Sequence, residues 1–179
     1  MSDFKTYYNS EVKTKLKEEF GIKNVMAVPE IKKIVVNVGA GEAVTNKNVM
    51  DKVQEQLSWI TAQKPIVTKA RKSIAAFKIR KGYPIGAKVT LRGKNMYLFL
   101  EKIVKIIIPR IKDFRGISDN NIDGYGNLNL GFTEQTIFPE VDFDKIDKLR
   151  GLQVTIVTNA KSKELGKKLF EHLGIPFKK

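Results

Sequence analysis

The basic side chains in the middle of the sequence are the groups whose type and spacing indicate a chemistry most clearly. Residues 61–115 carry fifteen Lys or Arg against two Asp or Glu, out of a net charge of +14 for the whole chain. No acid occurs between Lys64 and Lys94, where ten cations follow one another: Lys64, Lys69, Arg71, Lys72, Lys78, Arg80, Lys81, Lys88, Arg92 and Lys94. Such an unbalanced stretch repels itself, so it indicates a polyanionic partner whose phosphates exchange their counterions for these cations.

Three explanations compete for this charge. A merely soluble basic face normally mixes both signs of charge, which this stretch does not do. A membrane surface requires a basic amphipathic helix with bulky apolar residues opposite the cations, but Ala70–Gly86 includes Gly82 and Pro84 and is typical of a loop. Nucleic acid fits best.

The sequence argues against several kinds of catalytic site. There is no cysteine, which excludes a disulfide scaffold, a thiolate metal site and a cysteine nucleophile, and there is one histidine, His172, which we expect to have a surface or capping role. Gly39–Val44 resembles a dinucleotide-binding turn, but Val44 replaces the third glycine, so an ordinary turn after a strand explains it better. We therefore expect no catalytic residue, no metal and no cofactor.

An acidic cluster stands out in this basic chain, and it allows three interpretations. Its members could hold Mg²⁺, could be solvated acids on an exposed strand edge, or could meet a basic protein partner. The alternation of Val141 and Phe143 after Pro139 favours the strand edge. The cluster consists of Glu140, Asp142, Asp144 and Asp147.

Two aromatic residues, Phe77 and Tyr83, lie in or beside the basic loop. There, an aromatic ring could stack on an exposed base or ribose, or it could simply anchor the loop. The sequence favours neither. For Trp59, which follows Leu57 in a helical pattern, packing in or at the rim of the core is the simpler interpretation.

The elements of the first half follow from apolar spacing. Apolar residues recur every four positions from Phe4 and predict a helix over residues 3–20. Alternation predicts a strand over Ile31–Val38, a helix follows from Val49 to Ile60, and Ile66–Thr68 is a short strand before the basic loop.

The second half mixes strands and helices in the same way. Ala87–Arg92 is an alternating strand that Gly93 ends, and Asn95 can cap a third helix that ends at Pro109. Residues 116–131 predict an exposed loop or a hairpin tip. Leu152–Val157 is another strand, and the final helix carries Leu165, Leu169 and Leu173 before Gly174 closes it.

Together these elements predict an α+β fold, with an antiparallel sheet covered by helices on one face and an open concave face on the other. The alternation places five polar or basic side chains on the open face: Lys33, Asn37, Lys88, Thr90 and Arg92. Amides and hydroxyls between cations suit folded RNA, whereas a duplex-DNA reader would present a recognition helix.

The first ten residues lack the pattern of a secretory signal, and the longest apolar run, Ile106–Ile108, is far too short to span a membrane. We therefore expect a cytoplasmic protein of a single domain, residues 1–179, with no membrane partner.

Several motifs occur together across nearly the whole chain. They are VNVG (36–39), ITAQKPIVTKARKS (60–73), GYPIG (82–86), VTLRG (89–93), PRIKDFRG (109–116), FPE (138–140) and TIVT (155–158). In this order they resemble bacterial large-subunit ribosomal protein five, the 5S rRNA-binding family of the central protuberance. Ala62 stands where that family usually has glycine, and Leu98 where a glutamate is common.

The resemblance implies a non-catalytic ribosomal protein that attaches 5S rRNA to the large subunit. Its partners would be 5S rRNA, 23S rRNA, P-site tRNA, a small-subunit head protein and other central-protuberance proteins. Carried over motif by motif, the 5S rRNA contacts are Asn37, Gln63, Thr68, Thr90 and Arg92, to which the open-face pattern adds Lys33 and Lys88.

The same resemblance implies that the loop Arg71–Gly82 extends toward the elbow of P-site tRNA. The residues expected to make that contact are Arg71, Lys72, Ser73, Lys78, Arg80 and Lys81. The region of about 114–141 would face the small-subunit head and form a bridge to one of its proteins.

Overall fold

The chain is an α+β fold built on a five-stranded antiparallel sheet, as the sequence predicts. The computed structural model describes residues 3–46, 48–111, 114–142, 144 and 146–178. The strands are β1 (Ile31–Gly39), β2 (Ile66–Lys69), β3 (Pro84–Leu91), β4 (Leu128–Phe132) and β5 (Leu152–Thr158), in the spatial order β2-β3-β1-β5-β4. The helices are α1 (Asp3–Tyr7), α2 (Lys13–Glu19), α3 (Asn48–Thr61), α4 (Gly93–Lys102), α5 (Ile108–Arg110) and α6 (Lys163–His172).

The first predicted helix is confirmed, with one irregularity. A π-helical turn, Tyr8–Val12, joins α1 to α2, and the four-residue apolar stripe Phe4, Tyr8, Val12 and Leu16 is buried along its length. The Tyr8 hydroxyl donates a 2.8 Å hydrogen bond to the Pro29 carbonyl oxygen, and burial raises the pKa of this tyrosine well above its usual range. The stripe therefore fixes the helix to the start of the sheet.

The predicted limits of the third helix were wrong at both ends. The helix begins at Gly93, not after Asn95, because Gly93 takes a φ of +58° that turns the chain directly out of β3. It also runs past Pro109 to Arg110, through a π-helical turn at Ile103–Ile107. Pro109 comes two residues after this π-helical turn and lies one residue before the helix ends.

The sheet is buried on one face, as the alternation predicts. Ile34, Val36 and Val38 on β1 are at most 4% exposed, and the residues between them are exposed or half-buried. The same alternation continues on β3 and β5, whose buried residues are Ala87, Val89, Leu91, Leu152, Val154 and Ile156. Apolar burial on one face leaves the polar residues of the same strands accessible to a partner.

Three strand predictions need correction. β3 begins at Pro84, within the stretch that was assigned to the loop, because a proline can occupy the first residue of a strand. Residues 128–131, predicted as loop or hairpin tip, lie in β4. This strand was not predicted because it is short and contains Gly131. The expected strand edge at 139–143 is absent from the described part of that stretch, where a 3₁₀ turn (Gln135–Ile137) leads into turns; Phe143 lies outside the described residues.

The chain divides into two compact units. The first comprises Met1–Ile34, Leu91–Leu130 and Thr155–Lys179, and the second comprises Val35–Thr90 and Gly131–Val154. Within the described residues, no helix is both long and apolar enough to cross a bilayer.

In the first unit, α6 packs against the turn before β4 through two glycines. A Cβ placed on Gly166 would lie 2.5 Å from the Cα of Gly126 and 2.6 Å from its carbonyl oxygen. Gly126 has a φ of +77°, within a turn in which the Asp123 carboxylate accepts hydrogen bonds from the amides of Tyr125 and Asn127. The contact is between backbones, so no side chain can move to make room.

We therefore expect Gly166→Ala to lower the free energy of unfolding by about 2 kcal/mol, because the new methyl group must push two backbones apart. Urea denaturation measures the change. Gly124→Ala is the matched control, since a Cβ there meets no atom within 4 Å, and it should leave stability within about 0.5 kcal/mol. Equal stability of the two variants would contradict the close approach.

Candidate nucleic-acid interface

In the second unit, the accessible face of β1 and β3 carries three of the predicted RNA-binding residues. Asn37 is exposed between the buried Val36 and Val38, and Lys88 is exposed on β3, where Thr90 is half-buried. β1 and β3 are neighbours in the sheet, so an amide, a hydroxyl and a cation share one accessible surface.

β2 extends this surface at the edge of the sheet. Its antiparallel register with β3 places Ile66 opposite Lys88 and Thr68 opposite Gly86. A Cβ on Gly86 would lie 2.5 Å from the Val38 carbonyl oxygen and 3.0 Å from Thr68 Oγ1, so only glycine permits this spacing. Thr68 is half-buried and Ile66 is 66% exposed, which adds an apolar contact surface between the polar groups.

Gln63 is attached to the same surface by its side chain. Its Nε2 donates a 3.3 Å hydrogen bond to the Thr90 carbonyl oxygen, although the side chain remains exposed. The preceding residue, Ala62, has a φ of +51°, the left-handed conformation that ends α3 and turns the chain toward β2. The structure therefore brings together Gln63 and Thr90, which were both predicted to contact RNA. The turn at Ala62 that allows this has a conformation that favours glycine.

The other two predicted contacts, Lys33 and Arg92, belong to the first unit. Lys33 is half-buried and follows the same alternation on β1 as Asn37. Arg92 lies one residue beyond β3, not within it, but its extended backbone (φ −141°, ψ 163°) continues the alternation and its side chain is exposed.

These cations have no counterion among the carboxylates that the structure describes. Among the residues that the structure describes, no salt bridge involves any Lys or Arg between Lys64 and Lys94, and Lys33 has none either. The lysines elsewhere in the chain frequently pair with carboxylates, for example Lys148 with Glu42 at 2.9 Å. The middle of the chain therefore presents positive charge that no described carboxylate neutralises, and an external anion would stabilise it.

The basic loop, residues 70–83, is a hydrogen-bonded hairpin. At its base the Ala70 amide donates to the Tyr83 carbonyl (2.8 Å) and the Gly82 amide donates to the Ala70 carbonyl (2.9 Å). Ile74 and Ile79 then form an antiparallel bridge, and the Lys81 amide donates to Ser73 Oγ at 3.0 Å. Ser73 is thus a positioning residue within the loop.

All six residues predicted to contact tRNA lie on the surface of this hairpin. All of them are exposed: Arg71, Lys72, Ser73, Lys78, Arg80 and Lys81. The structure also separates the two aromatic residues, since Phe77 at the tip is 70% exposed and Tyr83 at the base is 37% exposed. Anchoring therefore fits the position of Tyr83 and does not fit Phe77.

An acidic cleft in the second unit was not predicted as a site. A cavity of about 770 Å³ is lined by Glu55 and Trp59 of α3 together with Glu140 and Asp142. Two of its three acids belong to the cluster noted in the sequence, but Glu55 lies 85 positions away from Glu140 and only the fold brings them together.

Within the described ranges, no group of three or more acids or histidines has the arrangement of a metal site. Asp147 instead binds Arg150 through two hydrogen bonds of 2.8 and 3.0 Å. The hydrogen bonds from Arg150 hold the pKa of the Asp147 carboxyl well below its usual range, so this acid is a structural partner of a buried arginine.

His172 has a partner that agrees with a surface role. Its Nε2 lies 2.9 Å from a carboxylate oxygen of Glu19, and this hydrogen bond lowers the pKa of Glu19. The contact joins the end of α2 to the end of α6 in the first unit.

Two family models match the chain. The first, described as ribosomal protein L5, covers residues 24–80, and the second, described as the C-terminus of the same ribosomal family, covers residues 84–177. The two matches include the sheet face, most of the basic loop and the acidic cleft.

The left-handed backbone of Ala62 predicts that Ala62→Gly stabilises the protein by about 1 kcal/mol, since a Cβ is disfavoured at this φ and glycine is not. Chemical denaturation checks this against Ala27→Gly, an exposed alanine without a positive φ, which should lose up to about 1 kcal/mol through the more flexible unfolded chain. Destabilisation by both variants would mean that Ala62 carries no strain.

Proposed function

Because the chain belongs to the ribosomal protein L5 family, we propose that it attaches 5S rRNA to the large ribosomal subunit through the open face of its sheet. The family consists of structural ribosomal proteins, not enzymes, so the chain is a structural constituent of the large subunit. The family also implies localisation on the cytoplasmic ribosome.

The single observation that carries this proposal is the polar face built on β1, β2 and β3. Exposed Asn37, Gln63 and Lys88 lie with Thr68 and Thr90 on this face, and the opposite side chains of β1 and β3 are buried. Amides and hydroxyls can bond ribose hydroxyls and base edges, while cations hold phosphates in place. Lys33 and Arg92 provide further positive charge with no partner among the described carboxylates.

The basic loop supports a second contact, with P-site tRNA. It places Arg71, Lys72, Lys78, Arg80 and Lys81 on a narrow hairpin without a single acid, which suits a phosphate backbone. Ser73 holds the two sides of the hairpin together and can also donate its hydroxyl hydrogen to a phosphate.

The acidic cleft supports a third contact, with a basic segment of a small-subunit head protein. Glu55, Glu140 and Asp142 make the cleft acidic and Trp59 lines it beside them, which suits a lysine or arginine side chain. This side of the chain includes part of the 114–141 region. Further contacts with 23S rRNA and with other proteins of the central protuberance belong to the same proposal.

The expected result for 5S rRNA binding is a steep dependence on salt. If five to eight cations replace counterions, log K should fall with log salt with a slope of about −4 to −7. Filter binding between 50 and 200 mM KCl measures it, and a flat response would contradict the electrostatic part of the proposal.

Arg92→Ala should weaken 5S rRNA binding by about 1–3 kcal/mol if its guanidinium bonds the RNA, and Lys88→Ala should reduce the salt slope by about 1. Lys17→Ala removes the same charge from an exposed position of α2 and serves as the control. If Arg92→Ala and Lys17→Ala bind equally well, Arg92 does not contact the RNA.

A further inference from the structure

Phe77 occupies the tip of the basic loop in a conformation that is set by the backbone. The 3₁₀ turn Ala75–Phe77 lies between Ile74 and Ile79, which exchange two hydrogen bonds of 2.9 and 3.1 Å. The Phe77 amide donates to the Ile74 carbonyl at 3.3 Å, and Lys78 closes the turn with a φ of +53° and a 3.0 Å bond from its amide to the Ala75 carbonyl. The tip is therefore shaped before any partner arrives.

The ring at this tip is exposed to water. Phe77 is 70% exposed. A buried phenylalanine stabilises a fold strongly, and an exposed one does not make that contribution. Ile74, below it on the hairpin, is 46% exposed as well, so the tip of the loop is open to solvent. A ring held on a preshaped backbone and left in water is arranged for a partner, not for the core.

The surroundings of the ring indicate the chemistry of that partner. Lys78 follows it directly, and Lys72, Arg80 and Lys81 lie on the two sides of the hairpin, all accessible and without a carboxylate partner in the described chain. A protein-binding aromatic is usually set in an apolar patch with a rim of mixed polarity. Phe77 and the exposed Ile74, Ala75 and Ala76 form a small apolar tip, and every charged side chain around it is a cation. A ring bordered by cations without acids matches single-stranded and unstacked nucleic acid, where rings stack on bases and cations hold the phosphates.

We propose that Phe77 stacks on an unstacked or terminal base of the folded tRNA that the loop contacts. This contact depends on base geometry, whereas the other contacts of the loop depend on charge alone. This inference rests on the proposed binding of tRNA by the loop. Phosphate contacts fix position without recognising a base, so the ring makes the tip sensitive to whether a base face is accessible.

The test measures the affinity of P-site tRNA for ribosomes that carry the full-length protein with single substitutions. Phe77→Leu keeps an apolar side chain of similar size without a π face and should weaken binding about tenfold, within the range for loss of one stacked base. Phe77→Tyr and Phe77→Trp should bind like the original protein.

A second variant separates this inference from the proposed function. Replacing Lys72, Lys78 and Lys81 by glutamine should weaken tRNA binding strongly and flatten its salt dependence. If that variant loses affinity but Phe77→Leu does not, Phe77 does not stack and the inference is wrong. If the glutamine variant binds normally, the loop does not bind tRNA and both proposals fail.

Thermal unfolding excludes a trivial cause of any loss. Phe77 makes so little contact with the protein that Phe77→Leu should keep the original melting temperature. Loss of affinity in all three Phe77 variants, tyrosine and tryptophan included, would also overturn stacking, because those rings keep a π face.

Discussion

The proposed binding depends on a stretch of positive charge that has no salt-bridge partner among the described residues. Ten cations between Lys64 and Lys94 occur without an acid, and none of them forms a salt bridge within the described residues. Elsewhere the chain pairs its charges, as with Lys167 and Asp119 at 2.8 Å or Lys105 and Glu101 at 2.7 Å. Repulsion between these cations lowers the stability of the free protein. Binding to a partner that supplies anions removes this repulsion and so stabilises the folded state.

The sheet makes this charge usable, because it separates apolar from polar residues along each strand. Val36, Val89 and Val154 turn inward, and Asn37, Lys88 and Gln153 turn outward, so one face packs and the other remains free. Two close backbone approaches keep this arrangement tight: Gly86 beside the Val38 carbonyl in the second unit, and Gly166 beside Gly126 in the first. The rigid strands and the preshaped hairpin therefore present cations and hydrogen-bonding groups in fixed positions, which limits the entropy lost on binding.

Sequence periodicity predicted what is regular in this chain and missed what depends on distant contacts. The stripe from Phe4 to Leu16 and the alternation around Val36 and Val89 identified the first helix and the central strands. β4 was not predicted, because five residues that include a glycine show too little alternation. The end of the third helix was predicted wrongly at Pro109, because apolar spacing does not reveal the π-helical turn before it. The division into two interleaved units and the meeting of Glu55 with Glu140 arise from tertiary packing. Likewise, Phe77 and Tyr83 differ in their exposed fraction, and the sequence alone does not predict that difference.

Acetylation of the unmodified protein, read by mass spectrometry with and without 5S rRNA, measures directly which lysines the RNA covers. If the RNA binds the open face of the sheet, Lys88 becomes several-fold less reactive when 5S rRNA is bound, while Lys15 and Lys17 on α2 react at the same rate in both states. Protection of the α2 lysines with an unchanged rate at Lys88 would contradict this binding, because the RNA would then lie on a different surface.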